Sequence, residues 1–300
     1  MIPRLAEMGM NACGISDHGS LGGLITFYKA CKKANIKPLL GIEAYITDNP
    51  NNSSEKKRDN MHMILIAKDN IGYQKLLEVC SKAALENFYY KARIYKEDLI
   101  HLKGHVVATS ACLGGCLAKK ANFVLDLQGR AIGCNETPEM LVDLDFYRGI
   151  FGEDFYLEFQ GWDDGTHFQP EYNKMLLERA KKSGIPSVIT CDAHYLRQED
   201  HKLHELLMAM QMKMTVSEYR DKGDMMYGPY FYLADQEEME RRALEVGCSD
   251  AIDNTNRIAE QCNVTIGLGK WKLPSFPFEQ EKDFEEFLKY KEKNAPNYTT

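Results

Sequence analysis

"CGISDHGSLGG", residues 13–23, ends a short apolar run in Asp17 and His18, with Gly19 directly behind them. A buried strand that stops at a carboxylate and an imidazole is either meeting water or presenting ligands at a strand end, so the rest of the chain decides. Five further β-rich runs follow. With the first they occupy residues 12–16, 38–46, 61–67, 105–110, 154–159 and 186–191. Helical patterns separate several of them. Leu24, Phe27, Tyr28 and Cys31 form an i, i+3, i+4, i+7 stripe, Leu76, Leu77 and Cys80 a second, and Tyr172, Leu176 and Ala180 a third. This alternation predicts an α/β fold of parallel strands joined by crossover helices, either a closed barrel or a doubly wound sheet. Both architectures place active sites at strand C-termini.

The helix ends are marked as well. Thr137-Pro138-Glu139 reads as N-cap, N1 and N2 of a helix through Leu141, Leu144 and Tyr147 that closes near Gly152, and Ser249 is expected to cap another carrying Ile252, Thr255, Ala259 and Cys262. Residues 223–229, rich in Gly, Met and Tyr, read as a loop. We therefore expect a main domain over residues 1–220 and a smaller helical C-terminal part over 221–300, with residues 291–300 frayed.

The chain has 300 residues, 44% hydrophobic and 27% charged, a composition suited to a globular protein with a sizeable core. No apolar stretch reaches the length of a membrane span, and the first residues lack the basic-then-apolar order of a signal peptide, so no membrane contact and a cytoplasmic location are expected. Nine cysteines, an odd number scattered through apolar or helical surroundings, read as reduced thiols. The net charge of −7 repels phosphate, so nucleic-acid contact would need a local basic patch. "EKKR", residues 55–58, reads as a solvated turn in a polar loop. "FYYKAR", residues 88–93, interleaves aromatics with cations, which suits either a nucleic-acid groove or an ordinary surface segment.

Chemistry gathers at the strand ends: Asp17 and His18, Glu43, His62, Cys112, Glu158, and Asp192 with His194. Singly, each is most simply a surface or core residue. Facing one another around one barrel mouth, His, Asp, Glu and Cys together suit zinc or a similar transition metal, and such mixed sites are typical of phosphoester hydrolases. No GxSxG elbow, Walker loop, strand-following GxGxxG or CxxC pair is present. Gly114-Gly115 after Cys112 reads either as an anion-approaching backbone or as a plain turn.

Several segments are recognisable. "ACGISDHGSLGGLITFYKACKKANIKPLLGIEAYI", "HMILIAKDNIGYQKLLEVCS", "FYYKARI", "VVATSACLGG", "FGEDFYLEFQ" and "VITCDAHYLRQEDHKLHELLMAMQ" together resemble the PHP (polymerase and histidinol phosphatase) domain as it occurs in bacterial replicative DNA polymerase III alpha subunits. "YGPYFYLADQEEM" and "AIDNTNRIAEQCNV" extend the resemblance to the polymerase branch. It implies a distorted seven-stranded βα barrel with up to three divalent metal ions, zinc or manganese, held by nine ligands at its mouth. By position, His18, Glu43, His62, Cys112, Asp192 and His194 match six of the nine, with Glu43, Asp192 and His194 expected at the reaction centre. Ser16 and Cys191 stand where that branch usually has threonine and asparagine, and neither is expected to bind metal.

The family's barrel begins with a strand bearing a His-x-His motif and an acidic ligand, and this chain is expected to start downstream of it. The expectation is therefore a barrel without its first strand, sheet edges at residues 12–16 and 186–191, and at most one firmly bound ion on Glu43, His62 and Cys112. The resemblance further implies a role in DNA replication as part of a DNA-directed DNA polymerase whose palm is not in this chain. The domain's own chemistry would be metal-dependent 3′–5′ exonucleolytic cleavage, with DNA and other holoenzyme subunits as partners. Two alternatives are a structural module that holds a separate proofreading exonuclease and, less favoured, a small-molecule phosphatase. His204, on a helix with Leu203, Leu206, Leu207 and Met210, is read as a packing residue outside the site.

Overall fold

The computed structural model describes residues 1–49, 58–222, 228–271 and 281–294. Most of the basic run at 55–58, most of the loop at 223–229 and the last six residues thus lie outside the described residues. In the described chain α1 (Ile2–Glu7) leads to β1 (Ala12–Ile15), α2 (Leu24–Lys33), β2 (Lys37–Thr47), β3 (Met61–Ala67) and α3 (Asn70–Leu85). A hairpin of β4 (Phe88–Tyr89) and β5 (Lys91–Tyr95) precedes β6 (Val106–Thr109), and a second hairpin pairs β7 (Asn122–Leu125) with β8 (Ala131–Asn135). Then come α4 (Pro138–Phe151), β9 (Phe155–Gln160), α5 (Phe168–Ser183) and β10 (Ser187–Thr190). Helices α6 (His201–Gln211), α7 (Val216–Lys222), α8 (Gln236–Val246) and α9 (Asp250–Gln261) follow. These elements form one compact unit, Met1–Thr265; a second unit, Ile266–Thr300, contains α10 (Glu281–Asn294).

The fold is mixed α/β around a curled, barrel-like sheet in the order β10-β9-β6-β3-β2-β5-β4, with β1 paired to the first half of β2. Among the described residues β1 pairs only with β2 and β10 only with β9, so these two are edges. One direction differs from the sequence expectation. Most neighbours run parallel, but β3 is antiparallel to both β2 and β6. The sequence between β2 and β3 explains it: "DNPNNSSEKKRDN" carries no apolar stripe with which a crossover helix could cover the sheet, as a parallel connection would require. The reversal brings the start of β3, with His62, to the rim where the parallel strands end.

Alternation along each strand sorts the concave face into layers. Ala12, Leu39, Ile66, Val107, Tyr156 and Val188 share that face and pack with Ile258 and Ala259 of α9 and with Cys262 directly after it. Further along the same strands, at positions of the same parity, stand Thr109, Glu158 and Thr190, and beyond them Glu43, His62 and Gln160. An apolar floor thus gives way to a polar layer and then to candidate metal donors. Helix α9 closes the floor: Asn254 Nδ2 donates to the Ser187 carbonyl at 2.8 Å, and Lys37 Nζ to the Glu260 carbonyl at 3.1 Å. Both strand contacts lie at strand beginnings, so α9 sits at the end opposite the donors.

Helix boundaries follow their local signals. Thr137 Oγ1 accepts from Met140 N at 3.1 Å, as an N-cap does, and α4 ends at Gly152. Ser249 occupies the N-cap position of α9 but makes no side-chain capping bond, which corrects the expectation for that residue. All nine cysteines are free thiols. No helix among the described residues is long and apolar enough to cross a membrane.

Candidate metal centre

Pairing of β1 with β2 continues past Ile15: Glu43 N donates to the Asp17 carbonyl at 3.1 Å and Gly19 N to the Glu43 carbonyl at 2.9 Å. This ladder seats His18 beside Glu43. The two ionisable residues that open the question then separate. Asp17 turns its carboxylate against Gly23, where α2 begins and the helix dipole favours negative charge, while His18 faces the mouth. His18 Nδ1 lies 3.5 Å from Glu43 Oε2, and His62 Nδ1 lies 2.7 Å from Glu43 Oε1. Glu43 is 5% exposed and reaches one histidine with each oxygen. One donor atom from each of His18, Glu43 and His62 falls within 4.8 Å of the others.

Cys112 joins them from the loop after β6. That loop is stitched to β3, with His62 N donating to the Gly114 carbonyl at 2.9 Å and Cys116 N to the His62 carbonyl at 3.1 Å. Its tightness requires Gly115, since a Cβ there would lie 2.1 Å from the Ser110 carbonyl oxygen. Gly114-Gly115 is therefore a packing turn, and its backbone holds Cys112. Cys112 Sγ lies 3.4 Å from His62 Nδ1 and 3.9 Å from Glu43 Oε1, and accepts from Gly114 N at 3.3 Å. Burial, then the Asp192 and Glu43 carboxylates, push its thiol well above the ordinary range.

Asp192 and His194 follow β10 on the opposite wall. His194 Nδ1 contacts the Asp192 carbonyl at 2.7 Å, and its backbone N–H donates to the Phe231 carbonyl at 2.8 Å. Its ring centre is 6.2 Å from that of His18. Burial raises the Asp192 carboxyl, opposed by His194, with Glu43 adding to the rise. For His18, burial dominates and lowers the imidazole, keeping it in the neutral form that binds metal. Ala111 at φ 57° and Asp192 at φ 46° both hold left-handed backbone next to or at these donors. Such strain persists where surrounding structure fixes it, as on loops that aim side chains into a site.

The six positions singled out in the sequence thus gather at one rim, as a close group of His18, Glu43, His62 and Cys112 and a facing pair, Asp192 and His194. For one tetrahedral ion, Zn–N bonds of about 2.0–2.1 Å and Zn–S bonds of about 2.3 Å separate donor atoms by roughly 3.4–3.6 Å. The observed 3.4 and 3.5 Å separations match that shell, whereas Cys112 Sγ–Glu43 Oε1 at 3.9 Å is longer and would have to close, and the His62–Glu43 contact is a hydrogen-bond distance that an ion would open.

Sequence reasoning left two neighbours without a role. Glu158 is buried beneath the donors, with Thr109 and Thr190 hydroxyls donating to its two oxygens, the latter at 2.6 Å. Burial pushes its carboxyl up to about 7 against those bonds, and the charges of Asp192 and Glu43 add to the rise. Its place at a strand end was visible, but the hydroxyls that hold it come from two other strands. His204 lies with its ring 5.7 Å from that of His194, whereas Leu203, Leu206, Leu207 and Met210 of the same helix are exposed. The leucines and methionine of this helix therefore face outward, and His204, read from the sequence as a packing residue outside the site, lies against His194 of the site.

Comparison with known proteins agrees with this geometry. The chain is 35% identical over 290 residues to the DNA polymerase III subunit alpha of Helicobacter pylori (strain ATCC 700392 / 26695), covering 92% of this chain and 22% of that protein. The corresponding subunit of Thermus aquaticus is 34% identical over 291 residues, 93% of this chain and 22% of its own length. That of Aquifex aeolicus (strain VF5) is 32% identical over 303 residues, 96% and 25%. The chain thus spans roughly a fifth to a quarter of the relatives it matches. The PHP domain profile matches residues 1–161, more than half of the chain and the part that supplies His18, Glu43, His62 and Cys112, and the chain belongs to the PHP domain family.

Proposed function

We propose that this chain is the PHP region of a replicative DNA polymerase alpha subunit, acting in cytoplasmic DNA replication beside other holoenzyme subunits, and that its own site hydrolyses phosphodiesters at DNA 3′ ends. The observation that carries the reading is Glu43, buried between His18 and His62 with Cys112 beside it. The similarity to alpha subunits over more than 90% of this chain supports the replication role and leaves DNA synthesis to regions outside it.

In this reading His18, Glu43, His62 and Cys112 hold a divalent ion, zinc or manganese. When bound, it supplies positive charge for phosphate oxygens and a more acidic water. Glu43 fixes the geometry, since its two oxygens set the spacing of both imidazoles. Cys112 must lose its proton to serve, so metal uptake releases acid. Asp192 and His194 face this group, and the Asp192 carbonyl orients the His194 ring toward the substrate side. Glu158 and the two threonines form a packed polar support behind them.

A second reading makes the domain a binding module that holds a separate proofreading exonuclease. One observation favours it: a single close donor group is evident among the described residues, which suits one structural ion better than a catalytic cluster. Cleavage of 3′-labelled single-stranded DNA with added zinc or manganese separates the two. Release of mononucleotides that is lost in Glu43→Gln supports catalysis. A chain that binds metal and releases none is the module.

A further inference from the structure

The "FYYKAR" segment takes a specific form. Its first two residues are β4, Lys91 to Arg93 open β5, and Tyr90 is the turn between them, at φ 61°. Tyr90 is 58% and Phe88 60% exposed. A tyrosine in left-handed backbone at an exposed turn tip is a costly choice where glycine or asparagine would serve. Cations accompany the rings. The Arg58 guanidinium carbon lies 3.6 Å from the Tyr90 ring centre, Lys91 Nζ 5.4 Å from that of Tyr45, and the Arg93 guanidinium carbon 5.2 Å from that of Tyr89. Arg93 is buried and also bound to Asp59, whereas Lys91 is exposed.

The row leads to the metal centre. Tyr90 and Tyr89 touch with ring centres 4.8 Å apart, and β5 pairs with β2 so that Arg93 stands opposite Tyr45. The Tyr45 ring lies nearly parallel to His18, 5.9 Å between centres, and 5.4 Å from His62. Exposed ring faces beside exposed cations match single-stranded nucleic acid, whose bases stack while its phosphates meet positive charge. A surface for another protein would also carry Tyr, Phe and Arg but with lysine depleted, so Lys91 is the residue that favours nucleic acid here. On a chain with net charge −7, the pairing of Arg58 and Lys91 with these rings provides the local attraction that phosphate requires.

We propose that the β4–β5 hairpin and Arg58 form a docking track for single-stranded DNA, with bases stacked on Phe88 and Tyr90, phosphates on Arg58 and Lys91, and the strand end directed past Tyr45 toward His18. The direction of the strand rests on the phosphodiester reading; binding to the hairpin does not.

The test is fluorescence anisotropy of a labelled thymidine oligonucleotide with the 300-residue chain in chelator, where cleavage plays no part. Tyr90→Gly removes the ring and suits the left-handed turn, so its melting temperature is expected to equal or exceed wild type while Kd rises about fivefold or more. Phe88→Ser is expected to weaken binding similarly. Lys91→Gln is expected to lower the slope of log K against log salt by about 0.7. A duplex of equal length is expected to bind more weakly. Unchanged affinity in Tyr90→Gly, equal binding of duplex or heparin, or no oligonucleotide binding by the wild type overturns the proposal, the last outcome pointing to a protein partner. Binding that behaves as expected without any cleavage in added metal contradicts the hydrolytic reading alone.

Discussion

Replacing Glu158 by glutamine is expected to make the metal-free protein more stable above neutral pH and to change its pH dependence in a defined way. Enclosure raises this carboxyl from 4.5 to about 7. A folded-state pKa above the unfolded value means that the folded protein holds the proton more tightly. The group's stabilising contribution is then complete below about pH 4.5 and is lost as pH rises through 7. Each pH step between the two values is worth about 1.4 kcal/mol, so the difference between wild type and Glu158→Gln should shift by roughly 2.5 kcal/mol from pH 5 to pH 8, in favour of the variant. The amide keeps the shape and accepts one threonine hydroxyl, at an expected cost of about 1 kcal/mol for the altered second bond. Urea denaturation of both proteins in chelator, followed by far-ultraviolet circular dichroism across that pH range, measures the difference. Other groups that titrate, including the raised Asp192, cancel in the comparison to the extent that they are common to both. A difference that stays flat from pH 5 to 8, or that favours wild type increasingly at high pH, refutes the placement of Glu158 as a buried, strained acid.

Three further outcomes follow from the same geometry. Cys112→Ser should abolish the thiolate-to-metal charge-transfer absorption of the cobalt-loaded protein, and metal affinity of wild type should rise with pH because the raised thiol must deprotonate; a spectrum unchanged by the substitution removes Cys112 from the donor set. Gly115→Ala should cost about 2 kcal/mol or more in thermal or urea unfolding and weaken metal binding, because the new Cβ meets the Ser110 carbonyl; wild-type stability would show that the loop is loose. Thr137→Ala should cost about 1 kcal/mol through the lost cap at Met140 without changing metal content, and a loss of metal would contradict the purely structural role of α4.

The strands and the helices between them were legible because burial imposes periods of two and 3.6, and the stripe at Leu24, Phe27, Tyr28 and Cys31 is buried as its spacing predicts. Strand direction was not legible in that pattern. Nothing in "HMILIA" distinguishes a parallel strand from an antiparallel one; the signal lay in the polar stretch before it, too poor in apolar residues to make a crossover helix. The six donor positions could be named from residue type, strand ends and family resemblance, but their division into a close group and a facing pair depends on how the strands are staggered. Glu158 and His204 escaped for a related reason. The threonines that hold Glu158 come from β6 and β10, and the leucines around His204 follow a helical period that fixes a face without saying which face is inward.

The central claim is that His18, Glu43, His62 and Cys112 form one metal centre. Elemental analysis of the purified, dialysed chain beside Glu43→Gln tests it most directly. The account predicts about one transition-metal ion per wild-type chain and almost none in the variant, since Glu43 is the residue that both imidazoles share. A wild-type chain without metal after supply of zinc and manganese, or a variant that keeps the full wild-type content, would contradict it.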